Sequence, residues 1–438
     1  MKQMPFSTFR LAFKNTLWQI LGRGMMLVCS FLIVFLLTRL LGTARYGDYL
    51  FLTTTVLLFF NLADFGTGAT AVRMISQEKK RRREIFSAAL VLKTGLSLLS
   101  FLVLNLAAFF LPQFAGLRPA ALIASLALFF LSVRTAADIL FMADLRFEKK
   151  VFFEVAASLI FLILSSALFI FGKNDLQLLL VFWVLSGAVS GLGALFLVLK
   201  NKEFGFSWVN KKSVKLLFKE ALPLGLRQLV FATYDEGIDN FFLKTFLGSA
   251  AVAYYGLAYK VYANLVLLAA FFMNSLFPIL AGASGKKTKT IVKKSGKILL
   301  AAGLGVGVFT FLFAPFLVKI LGGEAFLPSV AILRLLAVAL VAAFLNHLFG
   351  YLFLARGEQK KLLFFSLLAL AFNLGGNWFL VPRLGGWGAA IITLGTELLM
   401  LILGGGYWVG KKALKTRTRN KKNNSKFKMQ KSKVQVKS

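Results

Sequence analysis

Cysteine and histidine occur once each in 438 residues, as Cys29 and His347. That scarcity excludes a disulfide within the chain and any Cys/His metal site, and both side chains are read as packing residues. Acidic residues are also few. Seventeen Asp and Glu face 52 Lys and Arg, a formal charge of +35. The sequence has no Walker A loop and no HExxH, so it offers no ATP-hydrolysing or zinc-hydrolase site, and no catalytic residue or cofactor is expected. Long polar stretches are missing too: the connections on one side of the apolar segments are all about ten residues or shorter, too short to build the reactive outer loops of a glycan polymerase, ligase or glycosyltransferase.

Apolar sequence fills the space instead. Fifty-eight per cent of the residues are hydrophobic, 48 are Phe, and the mean hydropathy is +0.77, a composition that no soluble globular chain of this length sustains. The chain reads as an all-α polytopic membrane protein with twelve transmembrane helices, the first near 15–41 and the last near 385–410. The first segment has no cleavage site after it and is expected to stay as an uncleaved span. An even count puts both termini on one side. Assigning that side to the cytoplasm places 39 basic residues on inner segments and four, Arg45, Arg118, Lys173 and Arg383, on outer connections. This positive-inside bias predicts a multi-pass protein of a bacterial or archaeal cytoplasmic membrane with cytoplasmic termini. It also removes nucleic acid as a partner, since the basic residues punctuate spans rather than forming one binding face.

The longest inner connection divides the chain. The expected organisation is an N-terminal six-helix bundle at 1–200, a basic linker at 201–220, a C-terminal six-helix bundle at 221–410, and a disordered basic tail at 411–438 that lies on anionic membrane lipid. A short internal repeat supports the division: span one ends TRLLG with Tyr46-Gly47 after it, and span seven ends KTFLG with Tyr255-Gly256 after it. Halves that start on the same side are related by a pseudo-two-fold axis along the membrane normal, with a cavity between two bundles.

Charges inside the spans point to function, because an ionisable group at membrane depth costs a few kcal/mol at the least and then lines a cavity, a pathway or a buried pair. Ala221 to Gly248 is apolar enough to span yet carries Arg227, Asp235, Glu236 and Asp239. On one continuous helix the three carboxylates fall within an arc of roughly 100° and form an acidic face suited to H+ or Na+. Arg23 lies about 12 Å into span one, with no acid on its own helix, and Arg227 lies at similar depth in span seven. The pair is expected to present guanidinium groups to one cavity, where their planar donors suit phosphate, or to form ion pairs between helices, for instance with Asp235 or Glu397. Arg134, Lys260 and Arg334 complete the basic candidates. Arg134 and Asp138 are four apart on one helix face and serve equally as a structural bridge or as ligand contacts, as does Glu397.

The order of several loose motifs carries a family resemblance over residues 8–410. In the first half it rests on TRLLGTARYGDYLFLTTTVLLFFNLADFGTGATAVRMIS, with its LG, YG and L-x-D-x-G elements. In the second half it rests on ALPLG, GIDNFFLKTFLGSAAVAYYGLAYKV, the LFP at Leu276 to Pro278, and NLGGNWFLVPRLGGWGAA. The chain resembles the O-antigen (Wzx-type) polysaccharide flippases of the multidrug/oligosaccharidyl-lipid/polysaccharide (MOP) exporter superfamily. The resemblance implies two lobes of twelve to fourteen helices in all that rock between inward-open and outward-open states. It also implies a polyprenyl-diphosphate-linked glycan as cargo, an ion gradient as drive, and a glycan polymerase and chain-length proteins as partners. Asp239 falls on the family's span-seven Asp, and Arg23 falls where relatives often carry a basic residue facing the cavity. Twelve spans rather than fourteen disfavour the lipid II branch. The competing readings are a multidrug or organic-cation antiporter of the same superfamily, with a cavity more acidic and aromatic than basic, a membrane glycan-processing enzyme with an outward cleft, and a scaffold of glycan assembly.

Overall fold

The computed structural model describes residues 6–201, 207–235, 237–283 and 285–408, with side chains from Leu17 onward except those of Asp235, Pro278 and Lys286. The expected tail at 411–438 and Glu236 lie outside the described residues. Fourteen α-helices follow one another, with no strand among the described residues. They are α1 (Phe6–Asp64), α2 (Thr67–Gln77), α3 (Arg82–Phe110), α4 (Arg118–Ser125), α5 (Ala127–Ala143), α6 (Phe147–Ile170), α7 (Leu176–Lys200), α8 (Lys211–Asp235), α9 (Ile238–Leu247), α10 (Ser249–Gly282), α11 (Gly285–Gly322), α12 (Ser329–Ala355), α13 (Gln359–Leu384) and α14 (Gly386–Trp408). A backbone in hydrocarbon must satisfy its own hydrogen bonds, and helices do so within one segment.

Ten helical stretches are long and apolar enough to cross a membrane. The first, Leu17–Gln77, holds 61 residues, which laid straight would measure about 90 Å, some three hydrocarbon thicknesses. It turns back at Gly42, whose φ of 65° and ψ of −175° interrupt the helix, and so makes two crossings. The segment formed by α8 and α9, which carries charged residues, follows α7 and precedes α10 in the chain and is not one of the ten. Counting the first stretch twice and adding the α8–α9 segment gives the twelve that the sequence reading expects.

Gly248, which closes α9, has φ 82° and ψ −172°, nearly the conformation of Gly42. The LG of TRLLG and the LG of KTFLG therefore make the same reversal at equivalent places in the two halves, because both need a left-handed residue that a Cβ disfavours. The two reversals also meet. A Cβ on Gly47 would run into the Ser249 carbonyl, and a Cβ on Gly256 would meet Leu50. Helix α1 thus packs against α10, with glycine at these close approaches.

For reference, helices α1–α7 are called the N-lobe and α8–α14 the C-lobe, following the division expected from the sequence. One face of the molecule carries the Gly42 and Gly248 reversals, here the turn end; the other carries the Lys/Arg-rich connections, here the basic end. At the turn end one hydrophobic core runs through both lobes, from Leu40, Tyr46 and Phe51 to Tyr255, Phe326 and Leu333. Nearer the basic end the N-lobe has a separate core around Phe86, Ile139 and Phe141, and Leu217 of α8 joins it.

The linker is shorter than the sequence suggested. Lys211–Glu220 is helix, not loop, because Val214, Leu217 and Ala221 recur on one side and Leu217 and Ala221 are buried. Asn210 starts it, accepting a bond from the Lys212 amide at 2.9 Å. The expected acidic arc is overturned as well. The chain breaks between α8 and α9, so Asp235 ends one helix and Asp239 opens the next. They do not share a continuous helix face.

Candidate functional site

A cavity of about 610 Å³ lies in the basic-end half of the C-lobe, within the size range of small-molecule sites. Helices α8, α10, α12, α13 and α14 line it. Its charged groups are Arg227, Lys260 and Glu397, and its aromatic walls include Phe231, Tyr234, Tyr259 and Tyr262. Three sequence candidates therefore meet here. Arg227 forms no ion pair among the described residues, whereas Glu397 is held by neutral donors: Tyr262 Oη donates to Oε1 at 3.0 Å and Asn346 Nδ2 to Oε2 at 2.6 Å. The alternative pairing of Arg227 with Glu397 is not formed. His347, read as a packing residue, also lines the cavity, while Cys29 is buried as expected.

The remaining basic candidates lie elsewhere. Gly22 sits so close to Val151 that a Cβ there would collide with it. That contact presses α1 onto α6 and brings the exposed Arg23 within electrostatic range of Glu154. Arg23 does not line the C-lobe cavity with Arg227, so the expected shared clamp is corrected. Arg134 does pair with Asp138 at 3.6 Å, and it also reaches Glu154 at 3.2 Å, which Lys150 holds at 2.6 Å. This N-lobe cluster is a network of ion pairs outside the C-lobe cavity. Arg334 is exposed over the Phe311 ring, 5.3 Å from its centroid, and is not a cavity residue. At that height of α12 the inward face is already filled by Leu333, Leu336 and Ala337.

Asp239 is buried deeper than the cavity wall. It lies eight residues before Leu247, about 12 Å from the end of α9. Tyr255 Oη donates to it at 2.5 Å and Asn377 Nδ2 at 2.7 Å, and Tyr255 Oη also bonds to Thr393 Oγ1 at 2.9 Å. Every described donor around this carboxylate is neutral. The Oδ1 of the fully buried Asn377 has no hydrogen-bond partner among the described residues.

The two lobes are fastened at the turn end. Lys244 Nζ donates to Asp48 Oδ1 at 2.5 Å and to Ser249 Oγ at 2.6 Å, and Ser249 Oγ donates to the same carboxylate at 2.6 Å. Thr38 and Arg39 of α1 donate to the last carbonyls of α11, at 2.6 Å to Leu321 and 2.9 Å to Ile320. Those carbonyls have no partner within their own helix, so cross-lobe donors satisfy them.

Sequence reasoning left several charged groups without a role or a partner, Lys93 among those it noted within the spans. Lys93 is fully buried and paired with Asp64, with Thr135 Oγ1 at 3.1 Å. Glu154 was detectable from its i,i+4 spacing to Lys150; Asp48 and Lys244 gave no local signal because they are 196 residues apart.

The sequence model described as polysaccharide biosynthesis protein matches residues 12–284, and the MatE model matches 223–379. No curated protein matches the chain in sequence. Among solved structures, an inward-facing multidrug resistance MATE family transporter of the MOP superfamily is similar with a TM-score of 0.73 at 17% identity, covering 92% of this chain and 99% of that one. The lipid II flippase MurJ in an inward closed conformation gives 0.73 at 12% identity, covering 90% and 86%. An outward-facing MATE transporter gives 0.65 at 18%, covering 93% and 96%. Because the first match spans more than half of its length, the chain belongs to the polysaccharide biosynthesis protein family, and it is built on the fold of the MOP-superfamily transporters.

Proposed function

We propose that the protein is a flippase that carries a polyprenyl-diphosphate-linked oligosaccharide across the cytoplasmic membrane by alternating access. The observation that carries this reading is Arg227: a guanidinium inside an aromatic cavity, with Lys260 on the same wall and no counter-ion among the described residues. Desolvating ionised oxygens costs tens of kcal/mol in the idealised limit, so a diphosphate crosses hydrocarbon only where bound cations replace its water. Tyr and Phe faces suit the sugars, and the polyprenyl tail stays in lipid. The basic end is assigned to the cytoplasm from the 39-to-four distribution of basic residues. A fastened turn end and a cavity in the basic-end half then describe an inward-facing state, in keeping with the higher TM-score to the inward-facing relative.

Export is driven by a cation, H+ or Na+, bound at Asp239. A ligand shifts a conformational equilibrium by its differential affinity for the two states, and a buried carboxylate with neutral donors changes its interaction energy strongly when a cation arrives. The test is complementation of a flippase-null strain. Arg227→Ala is expected to abolish glycan export and Asp239→Asn to reduce its dependence on the gradient, with both proteins inserted at normal levels. Full export by Arg227→Ala refutes the anionic cargo.

A second reading, an organic-cation antiporter, draws on Glu397, on the aromatic walls and on the MatE match. Equilibrium binding separates the two: a soluble prenyl diphosphate should saturate the purified protein, and a lipophilic cation such as ethidium should not displace it.

A further inference from the structure

At the basic end, Trp208 is 98% exposed, the least covered large apolar side chain among the described residues, although an indole ring is costly to leave in water. Its segment is pinned. The Ser207 amide donates to Ser87 Oγ at 3.1 Å, Asn210 caps α8, and Ser213 Oγ donates to Glu84. Those contacts also set its depth. Helix α3 holds 29 residues, about 43 Å of helix against a hydrocarbon core of about 30 Å, so its first turn stands in the headgroup layer. Ser87 lies about 8 Å from the start of α3. With the excess length shared between the two ends of α3, Ser87 and the neighbouring Trp208 come level with the boundary between headgroups and hydrocarbon, the depth that indole rings favour.

The first turns of α8 carry a matching charge. On a helix, Lys211, Lys212, Lys215 and Lys219 fall within an arc of roughly 100°, opposite Ser213, Leu217 and Ala221, which are buried. All four lysines are exposed, and none pairs with an acid among the described residues; the adjoining Glu220 is held by Arg73 at 2.7 Å. We propose that Trp208 and this lysine face form a docking site for the headgroups of anionic phospholipids in the leaflet at the basic end. Charge and depth together choose the occupant: unpaired ammonium groups gathered on one face attract phosphate, and an indole level with the headgroups places that phosphate on a lipid. The site stands apart from the cargo cavity and from its proposed function. Leu217 seats α8 in the N-lobe core, while Arg227, about two turns beyond Lys219, lines the C-lobe cavity. Lipid held here therefore steadies the helix that joins the lobes.

The experiment uses the full chain in vesicles of mixed phosphatidylcholine and phosphatidylglycerol. Bromine on the acyl chains of one lipid or the other quenches nearby indole fluorescence, and the difference between wild type and Trp208→Phe isolates Trp208 among the six tryptophans. Brominated phosphatidylglycerol should quench Trp208 at least about threefold more strongly than brominated phosphatidylcholine at equal mole fraction. Salt at about 1 M should abolish the preference, because the Debye length is then about 3 Å. Lys211→Gln, Lys212→Gln, Lys215→Gln and Lys219→Gln together should lower the preference below about 1.5-fold. The same change at Lys287, Lys289, Lys293 and Lys294 of α11, also exposed at this end, should leave it intact. Every substituted side chain is exposed, so the variants should insert at wild-type levels. Equal quenching by the two brominated lipids overturns the proposal, as does a preference that survives loss of the α8 lysines or that loss of the α11 lysines removes as fully. Trp208 open to aqueous acrylamide and untouched by either brominated lipid overturns it too, and would assign this face to a soluble protein partner.

Discussion

Lys244→Ala should open the turn end. Lys244 lies at the end of α9 in the C-lobe, Asp48 at the start of the second crossing in the N-lobe, and Ser249 bonds to both. The Lys244 and Asp48 side chains are 12% and 16% exposed, so the pair is neither a surface bridge worth a fraction of a kcal/mol nor a fully buried one worth several. Charge-assisted bonds contribute about 1.5–3 kcal/mol each. Because the Ser249 bond to Asp48 survives, we take a net loss of about 2 kcal/mol, or about 30-fold in the closed-to-open ratio. If the open form is about 1% of the wild type, it becomes about a quarter in the variant. Spin labels at Lys173→Cys and Leu384→Cys, at the turn ends of the two lobes, in a Cys29→Ala background without native thiols, read the change by pulsed electron resonance. A second distance population should appear. Asp48→Asn should add less than its single effect to Lys244→Ala, since both break one contact. An unchanged distance distribution, or full additivity, would show that the fastening contributes nothing to closure.

Gly47→Ala should loosen the same end, because the new methyl meets the Ser249 carbonyl; overpacking of this kind costs about 1–3 kcal/mol, and the same labels should report it. Lys93→Met keeps the volume but strips Asp64 of its cation, so the purified protein should lose about 3–5 kcal/mol of stability, measured as a lower Tm in detergent, with the double variant Asp64→Asn/Lys93→Met recovering part of it. Arg334→Ala removes an exposed contact with the Phe311 ring and a long 3.4 Å bond to the Phe311 carbonyl, and export and Tm should both stay at wild-type values. Loss of export there would reinstate it as a cargo contact.

Much of the architecture was legible because the membrane imposes it. Apolar length marked the ten membrane-length stretches, and the paired LG motifs gave the equivalent reversals at Gly42 and Gly248, since few residues other than glycine adopt those angles. Where prediction failed, the cause was a break in the helix or a contact remote in sequence. The acidic arc assumed that α8 ran on to Gly248; the interruption after Asp235 rotates Asp239 into another environment, and no periodicity announces it. Arg23 and Arg227 look equivalent by depth, but depth does not fix azimuth: Gly22 turns Arg23 toward Glu154, whereas α8 turns Arg227 into the C-lobe. The asparagines of NLGGNWF were read as a motif and not as partners of a buried carboxylate, because Asn377 acquires meaning only beside Asp239.

The two lobes handle their intramembrane charge in opposite ways, and this division suits the proposed carrier role. In the N-lobe Lys93 has Asp64, and Arg134 and Lys150 share Glu154. Pairs of this kind add little net stability but resist rearrangement, since separating them leaves a bare charge in a poor solvent. In the C-lobe Arg227 lines the cavity with no ion pair among the described residues, and the donors to Asp239 and Glu397 are neutral groups. Those charges are stabilised too little by the protein alone and gain most from a ligand of opposite sign. A rigid, internally neutralised lobe therefore supports one whose electrostatics are completed by what it carries, and moving two N-lobe acids next to Arg227 should cost cargo affinity even if the fold tolerates it.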